Sequence, residues 1–481
     1  MQKSVSRRTF LGAAAALGAS GFLLPNWARA AQPQQRLVAA TRTIEVNGRA
    51  ATVYGLTNSA GNSGLILAPN ERFDLVLENR SGAATSIHWH GQVPAPELDG
   101  VSETGYVTEI ADGTDRAFDF APRSGTHWMH SHHGLQEQRL LAAPLIVHDA
   151  EDVAADVQEV VVLLHDFTFR DPDEILAELT DGAGMDHGSM SSGQGAMASP
   201  MDHSMMSMDS MGTMDLNDVE FDAYLANDRT LDDPMVVRTE RQGRVRLRII
   251  NGGASTAFWL DLGSAVATVV AVDGNPVQPI TASRFPLAQA QRIDLMIDVP
   301  AGGVVPVFAQ REGDRARTGV ILAAPGAQIE KFASLADTAI GPVDMSLETL
   351  LRAVSGLSER ATDIQHAVML TGSMSPYAWS LDDRPWSNRR TPEVSLGQRV
   401  EIEFMNHTMM AHPMHLHGHH FQVVALNGKR FAGAMRDTIL VPSMGTVTIA
   451  FDADNPGRWL YHCHNLYHMA TGMMSELIYT T

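Results

Sequence analysis

The segment His462-Cys463-His464-Asn465-Leu466-Tyr467-His468-Met469-Ala470-Thr471-Gly472-Met473 decides what kind of molecule this chain builds. Cys463 is the only cysteine among 481 residues, so it has no disulfide partner within the chain. It lies between two histidines, with a further histidine at 468 and a methionine at 473. A thiolate, imidazoles and a weak thioether form the donor set of a blue-copper electron-transfer site. In an extended strand alternate side chains face opposite ways, so His462 and His464 point away from Cys463, towards a second metal site. A buried free thiol beside stray histidines is the plainer alternative, and the rest of the chain decides between the two.

Outward from this segment the chain repeats itself. Gly125-Thr126-His127-Trp128-Met129-His130-Ser131-His132 lines up with Gly457-Arg458-Trp459-Leu460-Tyr461-His462-Cys463-His464, which puts Ser131 where Cys463 stands. Residues 70–79, 241–251 and 396–406 each alternate apolar and polar side chains and end in asparagine. Period-2 alternation bounded by Gly, Asn and Pro marks half-buried strands. The first and third copies continue into Ile87-His88-Trp89-His90-Gly91 and His412-Pro413-Met414-His415-Leu416-His417-Gly418. The middle copy continues into Phe258-Trp259-Leu260-Asp261, without metal donors of that kind. An all-β chain of three β-sandwich domains accounts for the repeats, with boundaries at 31–150, 151–335 and 336–481 and chemistry in the first and last. Two stretches break the pattern. Residues 345–357 predict a short helix leading into the third domain. Residues 182–215 are of low complexity, with nine methionines plus His187 and His203, and read as an insertion that cannot bury a core.

The N-terminus reads Ser6-Arg7-Arg8-Thr9-Phe10-Leu11, an apolar stretch from Gly12 to Leu24, then Ala28-Arg29-Ala30. This is the pattern of a twin-arginine export signal over residues 1–30, and it predicts a periplasmic location. The apolar stretch is shorter than the about 20 residues a membrane helix needs, so no stable membrane insertion is expected. Removing residues 1–30 takes away four positive charges and no negative ones, moving the formal charge from −20 to −24. So acidic a surface argues against nucleic acid as a partner and draws metal cations. A lone thiol in an oxidising compartment is a liability unless something binds it.

The four histidine words at 88–91, 130–132, 412–418 and 462–473 together resemble the copper motifs of the three-domain multicopper oxidases, in particular the periplasmic copper-resistance and laccase-like oxidases. The resemblance covers essentially the whole mature chain. It implies three consecutive cupredoxin-like Greek-key β-sandwiches and four coppers per chain. Carried over by motif, it implies a type 1 copper on His412, Cys463, His468 and axial Met473. It places a type 2 copper on His88 and His415, and a type 3 pair on His90, His130, His132, His417, His462 and His464. Dioxygen reduction to water takes four electrons, and Cys463 and its two neighbours would join the electron-accepting copper to the cluster by a short covalent path. His133, His419 and His420 abut the motifs and read as supporting or surface residues.

Two further residues are candidates. Asp99 lies where the copper-tolerance oxidases resembled here carry an acid that serves the cluster, although Asp99-Gly100 is also a strong turn signal. The chain departs from many family members in having Met469, not glutamate, directly after His468, which puts that proton route in doubt. Met410 precedes His412 by two residues and resembles the substrate-copper methionine of cuprous oxidases, though Thr408 stands where an acid is often found. Packing is its alternative role. Copper(I) is soft and prefers thioethers, and the Met-Asp-His words at 185–187 and 201–203 resemble the repeats of copper-resistance oxidases. The expected function is a periplasmic oxidase acting as a monomer, taking electrons from copper(I) or phenolic small molecules and passing them to O2, in the service of copper tolerance. A laccase-like oxidase of phenols and aromatic amines, or a copper-sequestering protein, are the alternatives; only the last would bind copper without consuming oxygen.

Overall fold

The computed structural model describes residues 34–181, 216–240 and 243–480. The export signal and the methionine-rich stretch 182–215 lie outside them. Six sheets pack in three face-to-face pairs. In the first pair, strands Gln35–Val46, Arg49–Asn58, Phe73–Arg80 and Asp115–Phe120 cover Leu65–Leu67, Ile87–His90, Gly125–Ser131 and Ala142–Val147. Leu37, Leu75 and Phe118 meet Trp89, Met129 and Leu145 in the core between them. The second pair is built around Gln158–Phe167, Arg244–Asn251 and Arg292–Asp298 on one face and Phe258–Asp261, Val304–Arg311 and Arg317–Ala323 on the other. The third is built around Ile364–Met374, Arg399–Asn406 and Thr446–Asp452 against His412–Leu416, Arg458–Cys463 and Met474–Thr480. Among the described residues no helix is long and apolar enough to cross a membrane.

The asparagine that ends each repeated strand explains why the three pairs share one path. Asn79 Oδ1 accepts from the Ser81 amide at 3.0 Å, and its Nδ2 donates to the carbonyls of Ala83 and Ile110, both at 2.8 Å. Asn251 repeats this with the Gly253 amide and the carbonyls of Thr256 and Leu287. Asn406 repeats it with the Thr408 amide and the carbonyls of Met410 and Val441. All three are buried. An asparagine side chain mimics a backbone turn in this way, and here it turns the chain from one sheet into the facing one. In each pair the strand it ends runs parallel to the module's leading strand and antiparallel to a later one, the crossing pattern of a Greek key.

The register places the histidines. His88 lies opposite His130 and Ile87 opposite Ser131 in the first module. His415 lies opposite His462 and Met414 opposite Cys463 in the third. Ser131 and Cys463 therefore occupy equivalent ladder positions. Residues 345–357 do not form the expected helix. Leu347 and Leu351 are buried on the middle core, but the backbone that follows is bound elsewhere: Gln278 donates to the Arg352 carbonyl and the Ala353 amide to Gly433. A helix of so few residues is marginal in water, and tertiary bonds claim its polar groups.

Gly91 and Gly418, which end the two HxHG words, both hold left-handed backbone, at φ +85° and +65°. A Cβ on Gly418 would lie 2.4 Å from the Trp459 ring, whereas one on Gly48, at φ +78°, would meet nothing within 4 Å. Gly48→Ala is expected to cost only the left-handed strain, about 1–2 kcal/mol. Gly418→Ala should cost a further ~1–3 kcal/mol for overpacking. Paired urea titrations check this; equal midpoints for the two variants would contradict it.

Candidate metal centre

Three donors meet on the strands at the end of the third module. His412 Nδ1 and His468 Nδ1 are 3.1 Å apart, and each is 3.6 Å from Cys463 Sγ. The remote nitrogens are occupied: His412 Nε2 donates to Thr408 Oγ1 at 2.7 Å, and His468 Nε2 pairs with Asp218 Oδ2 at 3.1 Å. Both Nδ1 lone pairs are thus turned to the sulfur. Asn465 caps the helix Leu466–Thr471 through its side chain and donates its own amide to Sγ at 3.4 Å. Met473 is buried beside them, bridged by backbone bonds to Cys463 and His468. Burial pushes the Cys463 thiol up, with only the Asn465 amide opposing. A metal cation at the sulfur would reverse that, since a coordinating thiol is deprotonated.

Eight more imidazoles converge between the first and third modules, in three groups. His132, His417 and His462 point Nε2 at one spot, with His462 lying 3.0 Å from His417 and 3.5 Å from His132. Their Nδ1 atoms are taken by Glu103 (3.0 Å), Asp99 Oδ2 (2.9 Å) and the Cys463 carbonyl (2.9 Å). His88 and His415 bring Nε2 atoms within 3.4 Å, with Nδ1 atoms held by the carbonyls of Asp99 and Asp437. His90, His130 and His464 form the third group. His90 Nε2 is bound to Asp437 and Thr438, and His130 Nδ1 meets Glu137 Oε2 at 2.7 Å.

These donors fit copper. His90 Nδ1, His130 Nε2 and His464 Nε2 are buried without a hydrogen-bond partner, yet all three lie within 4.8 Å of one another. A buried unsatisfied polar atom costs ~1–3 kcal/mol; three aimed at one point make sense as ligands. Imidazole suits copper, and seven of the eight rings are oriented by an outer acceptor as metal-binding histidines are, while His464 Nδ1 faces Glu137 Oε1 at 3.8 Å. Burial first, and then the neighbouring imidazoles, hold His130, His417 and His462 well below the ordinary histidine range. The same order of causes, with the Arg292 guanidinium second, acts on His90. Burial also brings His464 down to about 3. Their lone pairs are therefore free at neutral pH. His132 moves the other way, because the Glu103 carboxylate outweighs its burial.

All of the sequence-derived metal residues come together in these four groups, with Met473 adjoining the first. Asp99 is buried between His88 (3.3 Å) and His417, while Gly100 beside it takes φ +90°. The turn and the contact with the cluster are one feature. Met410 is buried near His412, lining a cavity. The sequence reading missed the acids behind the ligands: Glu103, Glu137, Asp218 and Asp437. Asp218 lies just after the low-complexity stretch and Glu137 five residues after the 130–132 word, while Glu103 and Asp437 lie in segments with no histidine word of their own, and the three-dimensional pairing reveals the role of all four. His419, bonded to Tyr479, is a buried support, and His420, held between Gly91 and Asn275, is a half-buried one.

Models of the multicopper oxidase family match residues 39–152, 158–319 and 360–481. Multicopper oxidase MmcO of Mycobacterium tuberculosis is 31% identical, covering 99% of this chain and 97% of its own. Copper resistance protein A of Pseudomonas syringae pv. tomato is 25% identical over 99% of both chains. Fet3p, a multicopper oxidase that functions in iron import, superposes with a TM-score of 0.72 at 17% identity, covering 92% of this chain and 90% of its own. The laccase of Botrytis aclada gives 0.71 at 23%, covering 92% and 87%. With matches over most of its length, this chain belongs to the multicopper oxidases, oxidoreductases built from cupredoxin-fold domains. Four coppers per chain are characteristic of that family.

Cys463→Ser is expected to abolish the intense blue absorption while leaving most cluster copper bound; a blue variant would overturn the placement of the thiolate. The copper-stripped protein should also lose stability in acid. His90, His130, His415, His417, His462 and His464 stay neutral when folded but take up protons near pH 6.5 when unfolded. Unfolding is therefore favoured as pH falls below about 6.5, and stability is fullest above it. Thermal melts of stripped protein from pH 8 to 5 test this; a flat profile would count against neutral imidazoles.

Proposed function

We propose that this chain is a periplasmic oxidase that takes electrons one at a time from copper(I) and delivers four to O2, serving copper tolerance. The observation that carries the reading is a cavity of about 240 Å³ beside the blue-copper donors. Its walls include Met345, Met409 and Met410, with the carboxylates of Glu312 and Asp344. Thioethers select soft copper(I), and a carboxylate balances its single charge. Burial pushes the Glu312 carboxyl up to about 7, so a cation there meets a group poised between its neutral and charged forms. Met410 is joined to His412 through Ala411, and the wall residues Ser255 and Asn465 both hydrogen-bond Asp218, the partner of His468. Two short routes thus lead from cavity to copper ligands.

In this reading His412, Cys463, His468 and Met473 hold the type 1 copper and His88 with His415 the type 2 copper. His90, His130 and His464 would hold one type 3 copper, and His132, His417 and His462 the other. Bound copper supplies the electron storage that lets O2 be reduced to water in one place. The protein keeps the site dry, orients each ring through its outer nitrogen, and links Cys463 to His462 and His464 by single peptide units. Asp99 sets its carboxyl group against His88 and His417, where it would supply protons for the reduction of O2. Every ligand comes from one chain, so a monomer suffices. The methionine words at 185–206 would feed the cavity, although they lie outside the described residues.

Phenol oxidation is the second reading, favoured by Asp218: a fully buried carboxylate on His468 Nε2 can take the proton that a phenol sheds as its electron leaves. Oxygen uptake separates the two. Met410→Leu should lower the rate with copper(I) severalfold and leave the rate with a phenol unchanged, since it removes a soft donor and keeps apolar bulk; equal losses would make the laccase reading lead. Asp99→Asn should slow oxygen reduction by roughly 10²–10⁴-fold while reduction of the blue copper stays normal. An unchanged rate would return Asp99 to its turn.

A further inference from the structure

The middle module carries none of the copper ligands, yet a chain of buried charges runs from it into the cluster. Arg292 donates through Nη1 to Asp437 Oδ1 at 2.6 Å, and its Nη2 is bound to Asp437 Oδ2. Its Nε donates to the Thr126 carbonyl of the first module at 3.2 Å, and its Nη1 also to Ala290. Asp273, in the middle module, accepts from the Arg292 amide at 2.9 Å and pairs with Arg436 at 3.2 Å. Arg436 ends the chain on Glu348 at 2.8 Å. Arg292, Asp273 and Asp437 have no exposed surface. On the cluster side, Asp437 Oδ1 accepts from His90 Nε2 at 3.1 Å, and the Asp437 carbonyl accepts from His415 Nδ1 at 2.8 Å. Asp437 thus touches a ring from the His90, His130 and His464 group and one from the His88 and His415 pair.

We infer that Arg292 is a positioning residue for the copper cluster: its planar fork fixes the Asp437 carboxylate, which selects the nitrogen that His90 presents to the metal. His90 is the exception among the clustered rings. The others present Nε2, whereas its Nε2 is spent on Asp437 and Thr438 and its Nδ1 faces inward. A carboxylate free to rotate would release that proton and let the ring turn over. Arginine suits the task because its donors match both carboxylate oxygens at once, which a lysine ammonium cannot do. Gly91 marks the same constraint: a Cβ there would lie 2.6 Å from Arg292 Nη2 and 2.9 Å from Asp437 Oδ2. His127 Nδ1 lies at 2.5 Å from the same point, so the left-handed turn at Gly91 is packed against both that ring and the ion pair.

A purely architectural ion pair would alter only melting temperature, so the test reads copper directly. Arg292→Lys and Asp437→Asn are loaded with copper, and copper per chain, blue absorbance and the EPR-visible fraction of copper are measured. The blue band depends on third-module ligands and reports that this module is folded. With the band retained, cluster copper affinity should fall roughly 10–100-fold, the usual effect of losing an outer partner. Copper per chain should drop, or the EPR-visible fraction rise as the coupled pair is disrupted. Glu348→Gln, at the far end of the chain, should change neither. Full cluster copper with an unchanged EPR fraction in Arg292→Lys, whatever its melting temperature, would overturn the inference. Loss of the blue band from both variants would overturn it as well, since the pair would then be holding the fold and not the ring.

Discussion

A dry interface that gathers eight imidazole lone pairs depends on holding each ring by its far side. Imidazole has two nitrogens, and only one can face a metal. Here the outer nitrogens of seven of the eight rings have a carboxylate or carbonyl acceptor, from Glu103 behind His132 to Asp437 behind His90. With those protons assigned, the inner nitrogens have nothing to donate, and they converge because no other partner is in reach. Burial suppresses protonation in the same stroke. The cluster and the blue-copper donors are therefore two uses of one device, with Thr408 and Asp218 doing for His412 and His468 what the acids do inside.

That device also fixes how the modules share the work. The first and third supply the rings, in strands whose ladders put His88 opposite His130 and His415 opposite His462. The middle module supplies Asp218 and Arg292, one behind the blue-copper donors and one behind the cluster. Its own site is empty of donors because Phe258–Asp261 stands where the others carry histidines, yet it reaches both centres through charged side chains.

The donors that converge were legible in the sequence as four histidine words, whose resemblance to the multicopper oxidases implied their grouping, and a period of two sends His462 and His464 one way and Cys463 the other. The repeated modules were legible for the same reason, through alternation ending at Asn79, Asn251 and Asn406. The acids behind the rings were not, since His90 and Asp437 are 347 positions apart and neither neighbourhood advertises the pairing. Residues 345–357 misled for the opposite reason. Leu347 and Leu351 have helical spacing, but the backbone around them bonds to Gln278 and Gly433, which no local pattern can reveal.

The asparagine corner has a consequence for how such a protein matures. It closes identically in the middle module, which has no metal to bind, so turning the chain from sheet to sheet needs no ion. Folding and metallation are thereby separable events: three sandwiches can be complete while every copper position still waits for its occupant. A chain of this design can complete its scaffold first and take up its metal afterwards.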